Sequence, residues 1–321
     1  MFKKYFLLIL SLSFLTILSC SHQPKLTSKN DVDMLLTILK ANLSQQYFDK
    51  AKAVDLVNKL TKMESQKKFD HLTPTQAARM ITSFLQAETH DKHFNVTAYP
   101  ANPENAEEVK PLKQSVAGIS DYRILKNNIG YIKWDLCIAN ENAFREIRKV
   151  LNTLTGCRGL IFDLTENPGG DGASSAFFNQ FLYGDKGYQT LLKKKCTGDK
   201  EWHQSEVIFN YKDGPTFFDK PIYIIASKNT FSAAEYFAFT AKEMKRAIIL
   251  GDTTAGAGNP GTSQGFRTPE TDTIFWMFIP NCQIETKDGH SIEGIGVAPD
   301  VLLKSDQWLQ ETLVYVAKHA K

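Results

Sequence analysis

Between residues 30 and 90 the apolar positions recur at helical spacing. Met34, Leu35, Ile38 and Leu39 form one stripe, and Ala53, Leu56, Val57 and Leu60 form a second. A third helix is predicted from Thr73, which offers an N-cap, with Pro74 at the first helical position and Gln76 completing a capping box. Ala77, Met80, Ile81, Phe84 and Leu85 then share its apolar face. The pattern stops at Thr89–His93, and Phe94 to Tyr99 alternates like a short strand. Pro100 to Ala117 carries three prolines and little periodicity, the composition of a connection between units. Beyond it, strand-like runs at Gly130–Trp134, Gly159–Leu164, Ile222–Ala226 and Ala247–Leu250 are interleaved with helical stretches near 141–155, 173–182 and 232–243. Such alternation predicts an α/β core. An amphipathic helix is expected to close the chain, through Trp308, Leu309, Leu313, Val316 and Ala317.

The first twenty residues have another character. Lys3 and Lys4 precede a 14-residue apolar run from Tyr5 to Leu18, which ends at Ser19-Cys20. This is the layout of a signal peptide, and the run is short for a transmembrane helix, which takes about 20 apolar residues. Ile17-Leu18-Ser19-Cys20 resembles the lipobox of bacterial lipoproteins, in which the cysteine is lipidated and becomes the new N-terminus. The expected organisation is a leader at 1–20, a three-helix domain at 21–99, a linker at 100–118 and the main domain at 119–321.

Composition adds exclusions. The 38 basic and 35 acidic residues give a formal charge of +3, and removal of Lys3 and Lys4 leaves 36 against 35. No basic surfeit points to nucleic acid. Export would place Cys137, Cys157, Cys196 and Cys282 where disulfides persist, with three possible connectivities and free buried thiols as the alternative. None lies in a spacing that suits zinc, and no metal or organic cofactor is expected.

Two stretches carry candidate chemistry. Residues Ile222 to Glu235 read as an apolar strand, a polar turn and a helix whose start holds Ser232. There a hydroxyl sits at the positive end of the helix dipole, near unpaired backbone N–H groups. Ser232-Ala233-Ala234-Glu235 is also a legal capping box, so the segment alone does not distinguish nucleophile from cap. The second stretch, Gly159 to Gly172, is another apolar strand that breaks into the turn Asn167-Pro168-Gly169-Gly170. An N–H of Gly169 or Gly170, together with that of Ala233, would make a two-donor oxyanion hole.

Three blocks in this order resemble the tricorn-core and C-terminal-processing serine peptidases, a family that includes the interphotoreceptor retinoid-binding proteins. They are Asp163-Leu-Thr-Glu-Asn-Pro-Gly-Gly170, Thr230-Phe-Ser-Ala-Ala-Glu235 and Glu293-Gly-Ile-Gly-Val-Ala-Pro-Asp300. With Arg246–Gly256 they span most of residues 120–305. The resemblance implies a crotonase-like spiral α/β core, Ser232 as nucleophile and a peptide or protein substrate. One branch of the family activates its serine with a lysine 25 residues later; that position is Ala257 in Gly256-Ala257-Gly258. The tricorn-like branch uses a histidine from an Asp-x-His motif and a glutamate before the last block, which here would be His93 and Glu293. Three departures accompany the match: Thr165 stands where the family has arginine, Lys92 stands where tricorn-like members have serine, and no stretch resembles a PDZ domain. Two rival functions remain open at this point, a catalytically silent lipid- or peptide-binding protein and an esterase or amidase. Chain and leader together predict a lipid-anchored peptidase of the bacterial envelope or periplasm.

Overall fold

A computed structural model describes residues 29–101, 115–205, 207–211, 213–270 and 272–319. Cys20 and most of the connecting segment lie outside the described residues. Three helices open the described chain: α1 (Lys29–Gln46), α2 (Lys50–Ser65) and α3 (Pro74–Thr89). The capping box at Thr73 and Gln76 forms as expected, with N–H to oxygen distances of 2.9 and 3.3 Å. His90 ends α3 in the left-handed region, at φ 59°, and turns the chain sharply into Asp91–Phe94 and strand β1 (Asn95–Pro100).

These helices do not fold on themselves alone. β1 pairs antiparallel with β10 (Thr273–Pro280), which in turn pairs with β9 (Gly261–Arg267). Leu35, Leu39, Leu56, Ile81, Leu85 and Phe94 share one apolar cluster with Phe275, Met277 and Ile279 of β10. The expected three-helix unit is therefore completed by a hairpin from far along the chain. The first three helices and strand β10 meet through hydrophobic burial at about 25 cal/mol per Å².

The main body is a six-stranded sheet of order β12-β8-β7-β4-β3-β2. Its members are β2 (Ile119–Leu125), β3 (Ile129–Trp134), β4 (Gly159–Asp163), β7 (Ile222–Ala226), β8 (Ala247–Gly251) and β12 (Val301–Leu302). All neighbours are parallel except β2 on β3. Every residue of β4 and β7 is buried, as a parallel sheet covered on both faces requires. On one face lie α4 (Glu141–Thr153), α5 (Gly172–Leu182) and α6 (Ala233–Glu243), packed through Ile147, Phe178 and Phe237. On the other, α7 (Trp308–His319) packs over Tyr223 and Ile225.

A third, small sheet joins β11 (Cys282–Thr286), β5 (Leu192–Cys196) and β6 (His203–Gln204). Cys196 and Cys282 face each other in its register and form a disulfide, while Cys137 and Cys157 are free and buried. Thr165 donates its N–H and hydroxyl to Asp163. A cation reaches Asp163 from β3, where Lys133 Nζ lies 3.7 Å from its carboxylate.

Candidate active site

The strand–turn–helix around Ser232 is held from beneath by the end of β4. Thr230 donates its hydroxyl to the Leu164 carbonyl at 2.8 Å, and Phe231 donates its N–H to the Asn167 carbonyl at 3.0 Å. Ser232 itself adopts φ 52°, ψ −120°, a backbone region that costs a non-glycine residue about 1–3 kcal/mol and persists only where the surroundings enforce it. Glu235, fully buried, does the enforcing. Its carboxylate accepts the N–H of Ser232 at 2.9 Å, of Gly256 at 2.7 Å and of Ala257 at 2.9 Å, and the Thr254 hydroxyl at 2.6 Å. Burial still pushes the Glu235 carboxyl above its usual range. The capping-box reading of Glu235 is therefore only part of its work, because the same carboxylate pins the 254–257 turn against the start of α6.

His93 Nε2 lies 2.9 Å from Ser232 Oγ. The residues are 139 positions apart, so the closed hairpin β9–β10 and the docked helices are what bring them together. The imidazole is only 7% exposed, stacked on Phe278 and edge-on to Phe231. Lys92 turns away, donating to the Ala255 carbonyl at 2.6 Å.

Two carboxyls flank the inner side of the ring. Asp91 accepts the His93 backbone N–H at 2.9 Å and the Asn259 side-chain amide at 3.0 Å, and its Oδ1 is 3.6 Å from His93 Nδ1. Glu293 Oε2 accepts the N–H groups of Gly258 and Asn259 at 2.6 and 3.0 Å. Burial first, and the Asp91 charge second, push Glu293 up to about 7. Asp91, His93 and Glu293 each present a donor atom within 4.8 Å of the others, a grouping that a cation would find only by competing with the N–H bonds the carboxylates already accept.

The glycine turn resolves into different roles for its two members. Gly169 donates its N–H to Asn167 Oδ1 at 2.8 Å; among the described residues, the N–H groups of Gly170 and Ala233 have no acceptor. Gly169 instead serves by having no side chain: at φ +91° a Cβ there would lie 2.7 Å from the Phe231 carbonyl and 2.9 Å from Ser232 Cβ. Gly170 and Ala233 open onto a cleft of about 250 Å³, lined also by Ser232, Leu192, Val207, Tyr236, Thr240, Pro260 and Ile284. A larger hollow of about 560 Å³ between Asp163, Glu166, Asp252 and Trp308 contains neither Ser232 nor His93.

Every residue expected at the site thus converges on one place, with the Gly169 N–H already spent. The sequence assigns Asp91 and Asn259 no role of their own, and Glu235 only that of a cap. Asp-x-His spacing and the capping box were the available signals for Asp91 and Glu235, and nothing local marks Asn259.

A strained serine whose hydroxyl meets a buried imidazole beside open N–H groups is equipment for hydrolysis by way of a serine nucleophile. The chain belongs to peptidase family S41, whose family model matches residues 128–303. It is 28% identical over 180 residues to the carboxy-terminal processing protease CtpA of Bacillus subtilis, covering 54% of this chain and 35% of that one. It is 26% identical over 196 residues to the chloroplastic carboxyl-terminal-processing peptidase 2 of Arabidopsis thaliana, covering 60% and 35%. The chain spans about a third of the length of these curated relatives. In fold it is similar to the tricorn protease (TM-score 0.60, 12% identity, covering 90% of this chain and 37% of that one). A putative peptidase from Parabacteroides merdae matches along nearly its whole length (TM-score 0.59, 16% identity, 90% and 97%).

Proposed function

We propose that this protein hydrolyses peptide bonds through an acyl-enzyme. Ser232 Oγ attacks the carbonyl carbon while His93 Nε2 takes the hydroxyl proton; the oxyanion of the tetrahedral intermediate rests on the N–H groups of Gly170 and Ala233, each worth about 10²–10³ in rate. His93 then returns the proton to the departing amine. Water, activated by the same imidazole, releases the acyl group and restores Ser232. Glu293 and Asp91 provide the acidic side of the imidazole. The observation that carries this reading is the 2.9 Å contact between Ser232 Oγ and His93 Nε2.

The cleft beside Ser232 favours an apolar side chain at the cleaved residue, because Leu192, Val207, Pro260 and Ile284 dominate its walls. Asp171, its one acidic neighbour, is engaged in capping α5. The substrate is a peptide or protein segment reached from the bacterial envelope, with the chain anchored through lipidated Cys20. No described helix is long and apolar enough to cross a membrane.

The test is labelling of residues 22–321 with a fluorophosphonate, read by intact mass, beside hydrolysis of apolar-residue peptides. Ser232→Ala should abolish the adduct and lower kcat by about 10⁶. A folded wild type that forms no adduct with several leaving groups would instead favour a silent binding protein on this fold, and turnover of esters without peptides would favour an esterase.

A further inference from the structure

The two carboxyls beside His93 are not equivalent. We infer that Asp91, rather than Glu293, is the positioning residue that holds the His93 imidazole with its proton on Nδ1 and its lone pair toward Ser232. This deepens the peptidase reading and rests on it.

The geometry distinguishes the pair. Asp91 sits two residues before His93 in the same tight turn, 1% exposed, and its Oδ1 already accepts the backbone N–H of His93. That bond fixes the carboxylate relative to the ring's own backbone. Its Oδ1 lies 3.6 Å from Nδ1, and among the described residues the ring has no contact this close with Glu293. Asn259, 6% exposed, holds the other oxygen at 3.0 Å, so Asp91 is oriented from both sides. His93 Nδ1 is a buried nitrogen with no hydrogen-bond partner. An orphaned ring N–H is costly, at about 1–3 kcal/mol, and such contacts shorten when substrate closes the site. A small rotation of the Asp91 carboxylate supplies the missing bond. Glu293 reaches the site from another segment, and its Oε2 accepts two backbone N–H groups of the Gly258–Asn259 turn rather than any group of the His93 turn.

The charges agree with this division. Asp91 and Glu293 lie near Tyr47 and Tyr236; burial first, and neighbouring carboxylates that include these two after it, raise both phenols. Among the carboxyls in direct apposition, Glu293 is the one driven up to about 7, by burial and then by Asp91. Both causes disfavour the Glu293 carboxylate as a charged partner for the ring, in keeping with the geometry that sets Asp91 against Nδ1.

The experiment compares wild type, Asp91→Asn and Glu293→Gln. Asn keeps the shape of Asp91; the Asn259 amide donor fixes its oxygen at the Oδ2 position and sets its NH₂ at the Oδ1 position, where it donates toward Nδ1 and cannot accept. Two readouts are taken on each: the steady-state constants for one peptide, and the tautomer of His93 by ¹⁵N–¹H correlation with selective histidine labelling. Asp91→Asn should lower kcat by about 10³–10⁴ with KM within a few-fold, following the tautomer-loss precedent, and should move the His93 proton off Nδ1. Glu293→Gln should cost about tenfold or less and leave the tautomer in place. Asn259→Ala, a milder change, should shift the tautomer partway and covers the case in which Asp91→Asn does not fold. The inference is overturned if Glu293→Gln, and neither Asp91→Asn nor Asn259→Ala, disturbs the tautomer. Because the tautomer is read without turnover, a protein that cleaves nothing yet shows an Asp91-dependent Nδ1 proton would sink the hydrolytic reading and leave the positioning role standing.

Discussion

Replacing Glu235 by glutamine removes one charge from the centre of the fold and changes almost no volume. The carboxylate accepts four hydrogen bonds, two on each oxygen: Ser232 and Ala257 N–H on Oε2, Gly256 N–H and the Thr254 hydroxyl on Oε1. A glutamine oxygen placed at the Oε2 position keeps the first two. Its NH₂ then faces the Gly256 N–H and the Thr254 hydroxyl. The hydroxyl already accepts the Val297 N–H at 2.7 Å, so it can turn to accept once more, but the Gly256 N–H is left against another donor. One buried donor without a partner costs about 1–3 kcal/mol, and loss of the charge weakens the two retained bonds by a further ~1 kcal/mol. The expected total is about 2–4 kcal/mol, which in a domain of this size lowers Tm by roughly 5–15 °C. The Ser232 N–H bond helps hold the strained φ of that residue, so fluorophosphonate labelling should slow by about 10–100-fold in protein that remains folded. Calorimetry and labelling kinetics on the same samples check both. A Tm unchanged within a degree would refute the view of Glu235 as the clamp between the 254–257 turn and Ser232.

The Glu293 carboxyl, raised from 4.5 to about 7, makes a pH-dependent contribution of definite sign. Between those values the native state binds more protons than the unfolded chain, so stability falls as pH rises through the window and levels off above it. Urea denaturation at pH 5 and 8 should show this decline in wild type and a smaller one in Glu293→Gln; equal declines would remove Glu293 as its source. Gly169→Ala should cost at least ~2 kcal/mol and displace Ser232, since the new methyl meets the Phe231 carbonyl at 2.7 Å. Thermal melts and labelling of that variant would detect both effects. Loss of the Cys196–Cys282 bridge, which closes 86 residues of chain, should destabilise by about 4 kcal/mol in the chain-entropy account. It should also raise KM for apolar peptides, because Leu192 and Ile284 of the bridged strands wall the cleft. Melts and kinetics of the double serine variant, compared with reduced wild type, test the two together.

Much of the fold was legible because local chemistry and burial agree along this chain. The Thr73-Pro74-Gln76 start of α3, the all-apolar strands Gly159–Asp163 and Ile222–Ala226, and the strand–turn–helix that presents Ser232 are each written in consecutive residues, where caps and periodicity act within a turn or two. The identity of Ser232's neighbours was legible only through the resemblance, since the Asp91–His93 turn, Ser232 and Glu293 are far apart in sequence. Tertiary structure alone decided how they are used. Strand β10 pairs with β1 across more than 170 residues, a register that no local pattern encodes, and that pairing closes the helical unit and brings the His93 turn over α6. That Cys196 pairs with Cys282 while Cys137 and Cys157 stay free depends on β5 and β11 lying side by side. Whether Gly169 or Gly170 keeps a free N–H depends on Trp134 of β3, whose carbonyl takes the Asn167 amide and leaves its oxygen to accept from Gly169. Glu235 reads locally as a cap; only the arrival of residues 254–257 makes it a four-way junction. Hydrogen-bond partners of buried polar groups are set by which segments meet, and the hydrophobic pattern specifies that a segment is buried without specifying what it will be buried against.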